Sequence, residues 1–463
     1  MINNIILLPE VFLSLIILIL IIYGIKLSTY KASIGFLMGS LILFYINQRS
    51  YFDILSNGLL ESNNWIIIIK FIIIISSLAI LLMSNLEDKT SPVLILMVIF
   101  SSLLLISSIN WLSLYLALEL QTLTLFILVS LKRENAYSTE AGLKFFVLGA
   151  LSSGLFLMGC CLLYGFTGET NIQYLISNNI LNNIEISSLL NNQLGKIFIT
   201  ISLLFKLAAA PFHMWAPDVY EGAPTTITAL LTTIPKIAGF GILIQIGAIT
   251  NIILICAIIS IIYGSIAALN QTKIMRLIAY SGISHMGFIL FGLSIGSFEG
   301  LQASLIYMII YIIMSICTFS IILSLNLNKK LLIELSGLSR YNPILAITLS
   351  LTLLSIAGVP PLAGFFSKWL ILLSGINSGY YLLSLIIVIS SVIAGIYYVR
   401  IVKIINFEPN YALLMWQKIL IPNSSQDFKK SILIGISFFL ILFIIINPNL
   451  LLQLTYEATL GLY

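Results

Sequence analysis

Apolar runs of about twenty residues follow one another along the whole chain and are separated by short polar connections. A helix needs about 20 apolar residues to cross the hydrocarbon core of a bilayer, so each run predicts a membrane-spanning helix. The pattern predicts about 14 transmembrane helices, with approximate limits 5–25, 31–48, 65–84, 92–109, 111–131, 143–166, 195–214, 225–249, 252–270, 274–296, 301–326, 342–376, 380–406 and 429–448. The expected fold class is an all-α polytopic membrane protein.

Two of these predicted spans contain residues that interrupt a helix. The span 342–376 is too long for one straight helix and contains a cluster of helix breakers: Gly358, Pro360, Pro361 and Gly364. Proline lacks a backbone N–H and clashes with the preceding turn, so a helix should end there. The span from residue 195 runs into Pro211 and Pro217 and is expected to break in the same way.

The two broken spans are the seventh and the twelfth, five apart, and therefore have opposite orientations. This spacing predicts two inverted five-helix repeats, each containing a broken helix near the working site. The expected segments are an N-terminal three-helix segment (1–91), a first repeat of spans 4–8 (92–250), a second, inverted repeat of spans 9–13 (251–407), and a loop with the last span (408–463).

Basic residues are distributed unevenly among the connections. Connections after even-numbered spans hold Arg49 and little else, whereas those after odd-numbered spans hold Lys26, Lys31, Lys89, Lys132, Arg133, Lys273, Arg276, Lys329, Lys330, Arg340, Arg400, Lys403, Lys418, Lys429 and Lys430. By the positive-inside rule, the odd-numbered connections are expected to face the cytoplasm or a mitochondrial matrix, and both termini the opposite side.

The composition excludes several classes of protein. Only 8% of the residues are charged and 60% are hydrophobic, whereas soluble domains have about 25% charged residues. The net charge of +5 does not indicate nucleic-acid binding, because Lys and Arg are spread thinly, without a basic patch and interleaved aromatic residues. The cysteines lie inside apolar spans without metal-ligand spacing and predict no metal, haem or disulfide site: Cys160, Cys161, Cys256 and Cys317.

Charged residues in the interior of apolar spans are the candidate chemistry of this chain: Glu119, Lys206, Lys236 and Lys368. An ionised side chain at the membrane centre costs about 2.5–3.5 kcal/mol on insertion scales, so such residues indicate a function. One carboxylate and three amines within a membrane are most consistent with movement of protons or other small cations. Burial favours the neutral form of each group and ion pairing the charged form, and groups between these limits can exchange protons near neutral pH.

The depth of each charge within its span refines this interpretation. Lys206 is about ten residues from either end of its span, so its Cα is roughly 15 Å deep, and its side chain cannot easily reach water. Lys236 is similarly deep and follows a proline. Lys368 follows the second predicted break, so a structural role with access to water through unwound backbone stays open. Glu119 is the only acid deep within a span, and a lysine partner is expected for it.

Both histidines are candidate relay members because histidine titrates in the physiological pH range. His213 lies seven residues after Lys206 in the first predicted break. His285 lies in the tenth span, the repeat-mate of the fifth span, which holds Glu119. The alternative for each is a hydrogen-bonded core histidine.

Three further charged residues are expected to have structural roles only. Lys70 is about five residues inside the third span, so its side chain is expected to extend to the membrane interface. Asp218 and Glu221 lie at the mouth of the seventh span and are expected to be solvated loop or capping residues.

Five segments resemble the subunit 2 family of the proton-pumping NADH:ubiquinone oxidoreductase, respiratory complex I. They are LALELQTL (116–123), KRENAYSTEAGLKFFVLGALSSG (132–154), FKLAAAPFHMWAPDVYEGAPT (205–225), TKIMRLIAYSGISHMGF (272–288) and AGVPPLAGFFSKW (357–369). The resemblance covers nearly the whole chain. In these antiporter-like subunits the Glu/Lys pair of spans 5 and 7, the lysine of span 8 and the charge of span 12 transfer protons, which implies that role for Glu119, Lys206, Lys236 and Lys368. A lysine in span 12 resembles subunit 2, whereas the subunit 4 relative typically has a glutamate there.

The resemblance implies a non-redox, proton-translocating subunit of the membrane arm of this enzyme. The chain itself is expected to bind no cofactor, with NAD, FMN, iron-sulfur clusters and ubiquinone in other subunits; it contains no G-x-G-x-x-G after a strand. The implied partners are other membrane-arm subunits and membrane lipids, and no nucleic acid. The N-terminus lacks a basic presequence, which favours synthesis inside a mitochondrion and insertion into the inner membrane with the lysine-rich loops toward the matrix. Only a short tail is expected after the last span.

Three alternatives stay open. The first is the plastid or bacterial homologue of the same subunit, which genome location and co-purifying subunits would identify. The second is a free-standing cation/proton antiporter, which would carry sodium-coupled flux as an isolated chain. The third is a redox-active quinone enzyme, which would show an optical cofactor spectrum.

Overall fold

A computed structural model of the chain describes residues 8–24, 29–47, 53–55, 59–84, 90–172, 186–247, 249–325, 327, 330–407 and 428–462. The chain divides into two compact units. The first unit comprises Met1–Trp215, Gly222–Ile253 and Leu454–Tyr463, and the second comprises Ala216–Glu221 and Leu254–Gln453.

The first unit is built from helices and one short hairpin. Its elements are α1 (Leu8–Tyr23), α2 (Thr29–Asn47), β1 (Asp53–Leu55), β2 (Leu60–Ser62), α3 (Asn64–Met83), α4 (Ser91–Ser107), α5 (Trp111–Val129), α6 (Ala136–Thr167), α7 (Ile186–Lys206) and α9 (Thr225–Gln245). The strands β1 and β2 pair antiparallel. Polar caps set several helix ends: the side chain of Asn110 accepts the Leu112 N–H and so satisfies a donor that the start of α5 leaves open.

The second unit is also helical. It contains most of α8 (Trp215–Gly222), and then α10 (Thr250–Leu269), α11 (Ile274–Ser294), α12 (Phe298–Leu325), a 3₁₀ turn (Leu332–Leu335), α13 (Leu338–Tyr341), α14 (Pro343–Ala357), α15 (Ala363–Asn377), α16 (Tyr381–Asn406) and α17 (Phe428–Ile446). The last helix, α18 (Asn449–Leu460), ends in residues of the first unit.

Within the described ranges, nine helices are long and apolar enough to cross a membrane by length and composition. Four shorter apolar helices of 10–17 residues accompany them: Pro9–Tyr23, Thr29–Leu43, Ser91–Ser107 and Pro343–Ala357. The helices α9 and α11 are buried along nearly their whole length, whereas α16 exposes many apolar side chains, including Leu382 and Val392. A mostly helical fold is therefore confirmed, with one short hairpin, and the count of fourteen transmembrane helices and the inverted repeats stay predictions.

Both predicted helix breaks are confirmed. The helix α7 ends at Lys206 and α8 begins at Trp215. The helix α14 ends at Ala357 and α15 begins at Ala363. Gly364 allows the two halves of the second break to approach closely, because a Cβ added there would lie 1.7 Å from the carbonyl oxygen of Ser355.

Several short elements were not predicted from the sequence, among them the β1–β2 hairpin and α18. The hairpin of β1 and β2 lies in the connection between α2 and α3, where two three-residue strands leave no recognisable alternation. The helix α18 lies where only a short tail was expected. Its twelve residues are too few to cross a bilayer, so a search for apolar runs misses them; Thr455, Ala458 and Thr459 form its buried side.

Candidate functional site

Lys206 is the last residue of α7, at the start of the first break. Its ammonium donates a long hydrogen bond of 3.5 Å to the carbonyl oxygen of Leu118 on α5. The C-terminal end of a helix carries partial negative charge, which favours a cation at this position. The break therefore brings the Lys206 ammonium to α5, one residue from Glu119.

Glu119 is half-buried on α5. Its Oε2 accepts a hydrogen bond of 3.3 Å from the hydroxyl of Thr122, whereas its buried Oε1 has no hydrogen-bond partner among the described residues. Lys206 interacts with Glu119 electrostatically, although no direct ion pair joins these two described side chains. The expected lysine partner is thus near the carboxylate without contacting it.

A cavity of about 30 Å³ adjoins Lys206 in the first unit. Its polar lining includes Gln121 and Thr122 of α5, Ser152 of α6 and Lys206, and Pro235 of α9 forms part of its wall. A water molecule needs about 10–15 Å³ of such volume, so the cavity has room for roughly two. The Nε2 of Gln121 is buried and has no hydrogen-bond partner within the described part of the chain. Water in this cavity is a suitable partner for a buried amide.

Lys236 lies in the middle of α9 and is 2% exposed. Pro235 precedes it inside the helix and removes one hydrogen bond from the backbone ladder. One turn later, Gly239 packs against Leu207 of the break, since a Cβ added there would lie 3.0 Å from the Leu207 Cδ2. Because Pro235 lines the cavity beside Lys206, Lys236 directly follows a residue of the cavity wall.

The first break also holds His213. This histidine is buried, and its ring donates a hydrogen bond to the backbone carbonyl of Pro211. Trp215 closes the break, because its indole N–H donates a 2.9 Å hydrogen bond to the Phe205 carbonyl at the end of α7. The Ala208 N–H donates to the same carbonyl, so the indole is a second donor that ties Trp215 to the end of α7.

Lys368 lies in α15, the half-helix that follows the second break, in the second unit. It is 6% exposed, and its ammonium donates a 2.7 Å hydrogen bond to the carbonyl of Ala357, the last residue of α14. The same ammonium lies 5.5 Å from the ring centroid of Phe288, within the range of a cation–π interaction. Lys368 of α15 is therefore hydrogen-bonded to the C-terminal end of α14.

His285 lies on α11 in the second unit and is 2% exposed. Its Nδ1 is 2.7 Å from the hydroxyl oxygen of Tyr307, and its Nε2 is 3.5 Å from that of Tyr398. A cavity of about 50 Å³ touches the histidine and Tyr398. His285 is therefore a hydrogen-bonded core histidine, an arrangement that is equally compatible with a role in proton transfer.

The expectation that Asp218 and Glu221 are only solvated or capping residues was wrong. Arg276 of α11 lies 2.7 Å from Asp218 and 2.5 Å from Glu221, and Lys273 forms a further ion pair with Glu221. The partners are more than fifty residues away along the chain, so local sequence could not reveal them. These ion pairs connect α8, which follows the first break, to the start of α11.

The expectation that Lys70 extends to the membrane interface was also wrong. Lys70 is 5% exposed and forms an ion pair with Glu10 of α1, which is 3% exposed. A buried ammonium next to a carboxylate does not need to reach water, and this explains why the side chain stays inside. Glu10, near the start of the first span, was not singled out from the sequence.

Each unit thus contains part of the predicted set. The first unit contains Glu119, Lys206, His213 and Lys236, and the second contains His285 and Lys368. Sequence reasoning missed Gln121, Tyr307 and Tyr398, although each is a polar residue within an apolar run. Among the described residues, no group of three or more His, Cys, Asp or Glu side chains is arranged to hold a metal ion.

Comparisons with known proteins show the family to which this chain belongs. A profile described as NADH:quinone oxidoreductase/Mrp antiporter, transmembrane, matches residues 108–394. The NADH-ubiquinone oxidoreductase chain 2 of Metridium senile is 59% identical over 380 residues, covering 81% of this chain and 98% of the relative. The protein of the same name from Marchantia polymorpha is 38% identical and covers 98% of both chains.

A solved structure shares the fold over nearly the full length. A chain of respiratory complex I from Thermus thermophilus superposes with a TM-score of 0.84 at 25% identity, covering 96% of this chain and 98% of that one. These similarities and the matched profile assign the chain to a family. The broken helices with buried lysines are consistent with that assignment. The chain belongs to the NADH:quinone oxidoreductase/Mrp antiporter transmembrane family and, within it, is similar to the chain 2 members.

Proposed function

We propose that this chain is a proton-translocating, non-redox subunit in the membrane arm of an NADH:ubiquinone oxidoreductase. The observation that carries the proposal is the pair of broken helices, each with a lysine at the break, in a chain of this family. Lys206 ends one half-helix, and Lys368 bonds to the end of another. Irregular backbone at membrane depth is retained where it serves an ion or proton site.

The relay that we propose has one stretch in each unit. In the first unit it comprises Glu119, Lys206, Lys236 and, in the break, His213. In the second unit it comprises His285 and Lys368. The buried lysines suit proton loading because burial favours the neutral amine and a nearby negative charge favours the ammonium, so a change in a neighbouring charge can bind or release the proton.

The remaining features of the proposal follow from the sequence and the relatives. The chain crosses the inner mitochondrial membrane fourteen times, with two inverted repeats and the lysine-rich connections toward the matrix. Its partners are other membrane-arm subunits and lipids. The redox cofactors NAD, FMN, iron-sulfur clusters and ubiquinone belong to other subunits, and the energy of that chemistry reaches this chain indirectly.

Purification of the native complex through a tag on this chain tests the proposal directly. We expect NADH dehydrogenase subunits to co-purify, and we expect the complex to acidify the lumen of proteoliposomes when NADH is oxidised. Replacing Lys206 by methionine should lower the number of protons moved per NADH oxidised. The matched control is Lys144→Met, because Lys144 is an exposed lysine on α6.

The alternatives give different results in the same preparation. A free-standing cation/proton antiporter would purify without dehydrogenase subunits and would exchange sodium for protons as an isolated chain. Recovery of the chain alone with such activity would overturn the proposal. An unchanged proton stoichiometry in an assembled Lys206→Met complex would remove Lys206 from the relay.

A further inference from the structure

The imidazole of His285 contacts a tyrosine hydroxyl at each of its two nitrogens. The Nδ1 is 2.7 Å from the hydroxyl oxygen of Tyr307 on α12. The Nε2 is 3.5 Å from the hydroxyl oxygen of Tyr398 on α16. All three side chains are at most 2% exposed. A neutral imidazole donates at one nitrogen and accepts at the other, so one tyrosine receives a proton from the ring while the other offers one.

The two tyrosines have different surroundings. Tyr398 lines the cavity of about 50 Å³ beside His285, together with the hydroxyl-bearing residues Ser281, Ser315 and Thr318. This volume accommodates roughly three water molecules. The cavity extends to Leu332 of the 3₁₀ turn, close to one of the lysine-rich connections. Tyr398 therefore borders a cavity with room for water and with several hydroxyls in an otherwise largely apolar wall.

Tyr307 lies on the drier side of the ring. It is not among the residues that line this cavity, and its ring packs 5.9 Å from that of Phe288, centroid to centroid. Phe288 is also the ring that lies 5.5 Å from the ammonium of Lys368. Tyr307 and Lys368 thus contact the same phenylalanine.

We infer that Tyr398 and Tyr307 are proton-transfer residues that pass protons into and out of His285, an inference that rests on the proposed function. In the starting state Tyr398 donates to Nε2, and Nδ1–H donates to Tyr307. A protonated water in the cavity gives a proton to the Tyr398 oxygen as the Tyr398 hydroxyl proton moves to Nε2. The Nδ1 proton moves to the Tyr307 oxygen, whose own proton is taken up, on the side of the shared Phe288, by Lys368 in its neutral amine form.

One proton enters and one leaves in this step, and no electrons are exchanged. The imidazole ends in the opposite tautomer, so the ring must regain the starting tautomer and both hydroxyls must turn back before the next proton passes. A phenylalanine would fill either position without a polar group to desolvate. Two buried hydroxyls, one at each nitrogen, are therefore better explained by proton transfer than by packing.

Tyrosine-to-phenylalanine variants in the assembled complex test this inference. Tyr307→Phe and Tyr398→Phe each remove a single oxygen and leave the aromatic ring in place. We expect each to lower NADH-driven proton pumping on the order of tenfold. The matched control is Tyr280→Phe, because Tyr280 lies on the same helix as His285, but its ring packs against that of Tyr263 and it is not among the residues that line the cavity. It should retain nearly full pumping.

A second measurement separates a relay role from a structural one. If the tyrosines act through His285, combining Tyr307→Phe with His285→Gln should give no further loss beyond His285→Gln alone. Additive losses, normal pumping by both phenylalanine variants, or an equal loss in Tyr280→Phe would overturn the inference. Should Tyr307→Phe fail to assemble, Tyr398→Phe tests the Nε2 side independently.

Failure of this inference differs from failure of the proposed function. If His285→Gln pumps normally while Lys236→Arg pumps poorly, the tyrosine–histidine transfer is rejected and the proposed function stands. Normal pumping by Lys236→Arg and Lys206→Met as well would reject the lysine relay itself.

Discussion

The ammonium of Lys368 donates a 2.7 Å hydrogen bond to the carbonyl of Ala357, across the break between α14 and α15. Ala357 ends α14, and its carbonyl is one of those that a helix leaves without an internal partner. The partial negative charge of the helix end stabilises the cation. The helix end at the break therefore provides the partner of a buried lysine. Among the described residues, no acidic side chain forms an ion pair with Lys368.

The residue that allows this contact is Gly358, and Gly358→Ala is expected to disturb it. Gly358 has a φ of +88°, and an added Cβ would lie 2.9 Å from the Lys368 Cδ and 3.1 Å from its Nζ. We expect a loss of stability of about 1–2 kcal/mol from the backbone strain alone, together with reduced pumping as Lys368 is displaced. Thermal stability and proton stoichiometry of the purified complex measure the two effects.

The control for that variant is Gly395→Ala in α16. An added Cβ at Gly395 has open space around it, and alanine is the better helix former, so stability should be unchanged or slightly higher. Equal losses in both variants would contradict the role assigned to Gly358.

The lysines of the first unit are tested by conservative substitution. Arginine keeps a positive charge but stays protonated at physiological pH, whereas a buried lysine can lose its proton. We expect Lys236→Arg and Lys206→Arg to assemble and yet to pump on the order of tenfold more slowly. Assembly must be measured beside activity because the guanidinium is bulkier.

Lys144→Arg serves as the control, since Lys144 is exposed and pairs with Glu140 one turn away on α6. It should pump normally. Full pumping by both assembled arginine variants would mean that these lysines only hold helices together.

Glu119→Gln should lower proton pumping and quinone-coupled NADH oxidation while leaving assembly largely intact. The amide has the same shape and can still accept the hydrogen bond from Thr122, but it cannot ionise. Glu140→Gln is the matched control, because this exposed glutamate lies on the neighbouring helix. Near-normal pumping by an assembled Glu119→Gln complex would exclude Glu119 from the relay.

The buried pair of Glu10 and Lys70 yields a prediction about stability. Glu10→Gln leaves the Lys70 charge buried without its carboxylate, which is expected to destabilise the complex by about 3–5 kcal/mol. Replacing both residues by methionine should restore much of that loss, since a buried ion pair is often matched by apolar side chains of similar volume. Thermal unfolding of the two variants decides this, and a double variant less stable than Glu10→Gln would contradict it.

Orientation is testable by labelling single cysteines in a background that lacks the four native ones. Arg340 and Glu169 are both exposed, and they follow an odd-numbered and an even-numbered predicted span, respectively. If the lysine bias sets the orientation, Arg340→Cys should react only from the matrix side and Glu169→Cys only from the intermembrane side. Labelling of both from one face would reject the proposed fourteen-span topology.

Local chemistry explains what could be read from the amino-acid order. A helix depends on apolar runs and on hydrogen bonds between residues four apart, so runs of about twenty residues and the prolines that interrupt them indicate helices and breaks directly. The sequence predicted in this way the breaks at the ends of α7 and α14. It also predicted how far inside their apolar runs Lys206, Lys236 and Lys368 lie. Short elements such as α18 escaped because their signals are weaker than the apolar runs around them.

Packing alone decided which side chains meet. Glu10 and Lys70 are 60 residues apart in the chain, and Tyr398 is 113 residues from His285. No local pattern relates such partners, because helices in an apolar environment can pack through many faces of similar hydrophobicity. The sequence therefore revealed that charges and hydroxyls lie within the spans, and tertiary contacts determined that Lys70 is paired inside the protein and that His285 lies between two tyrosines.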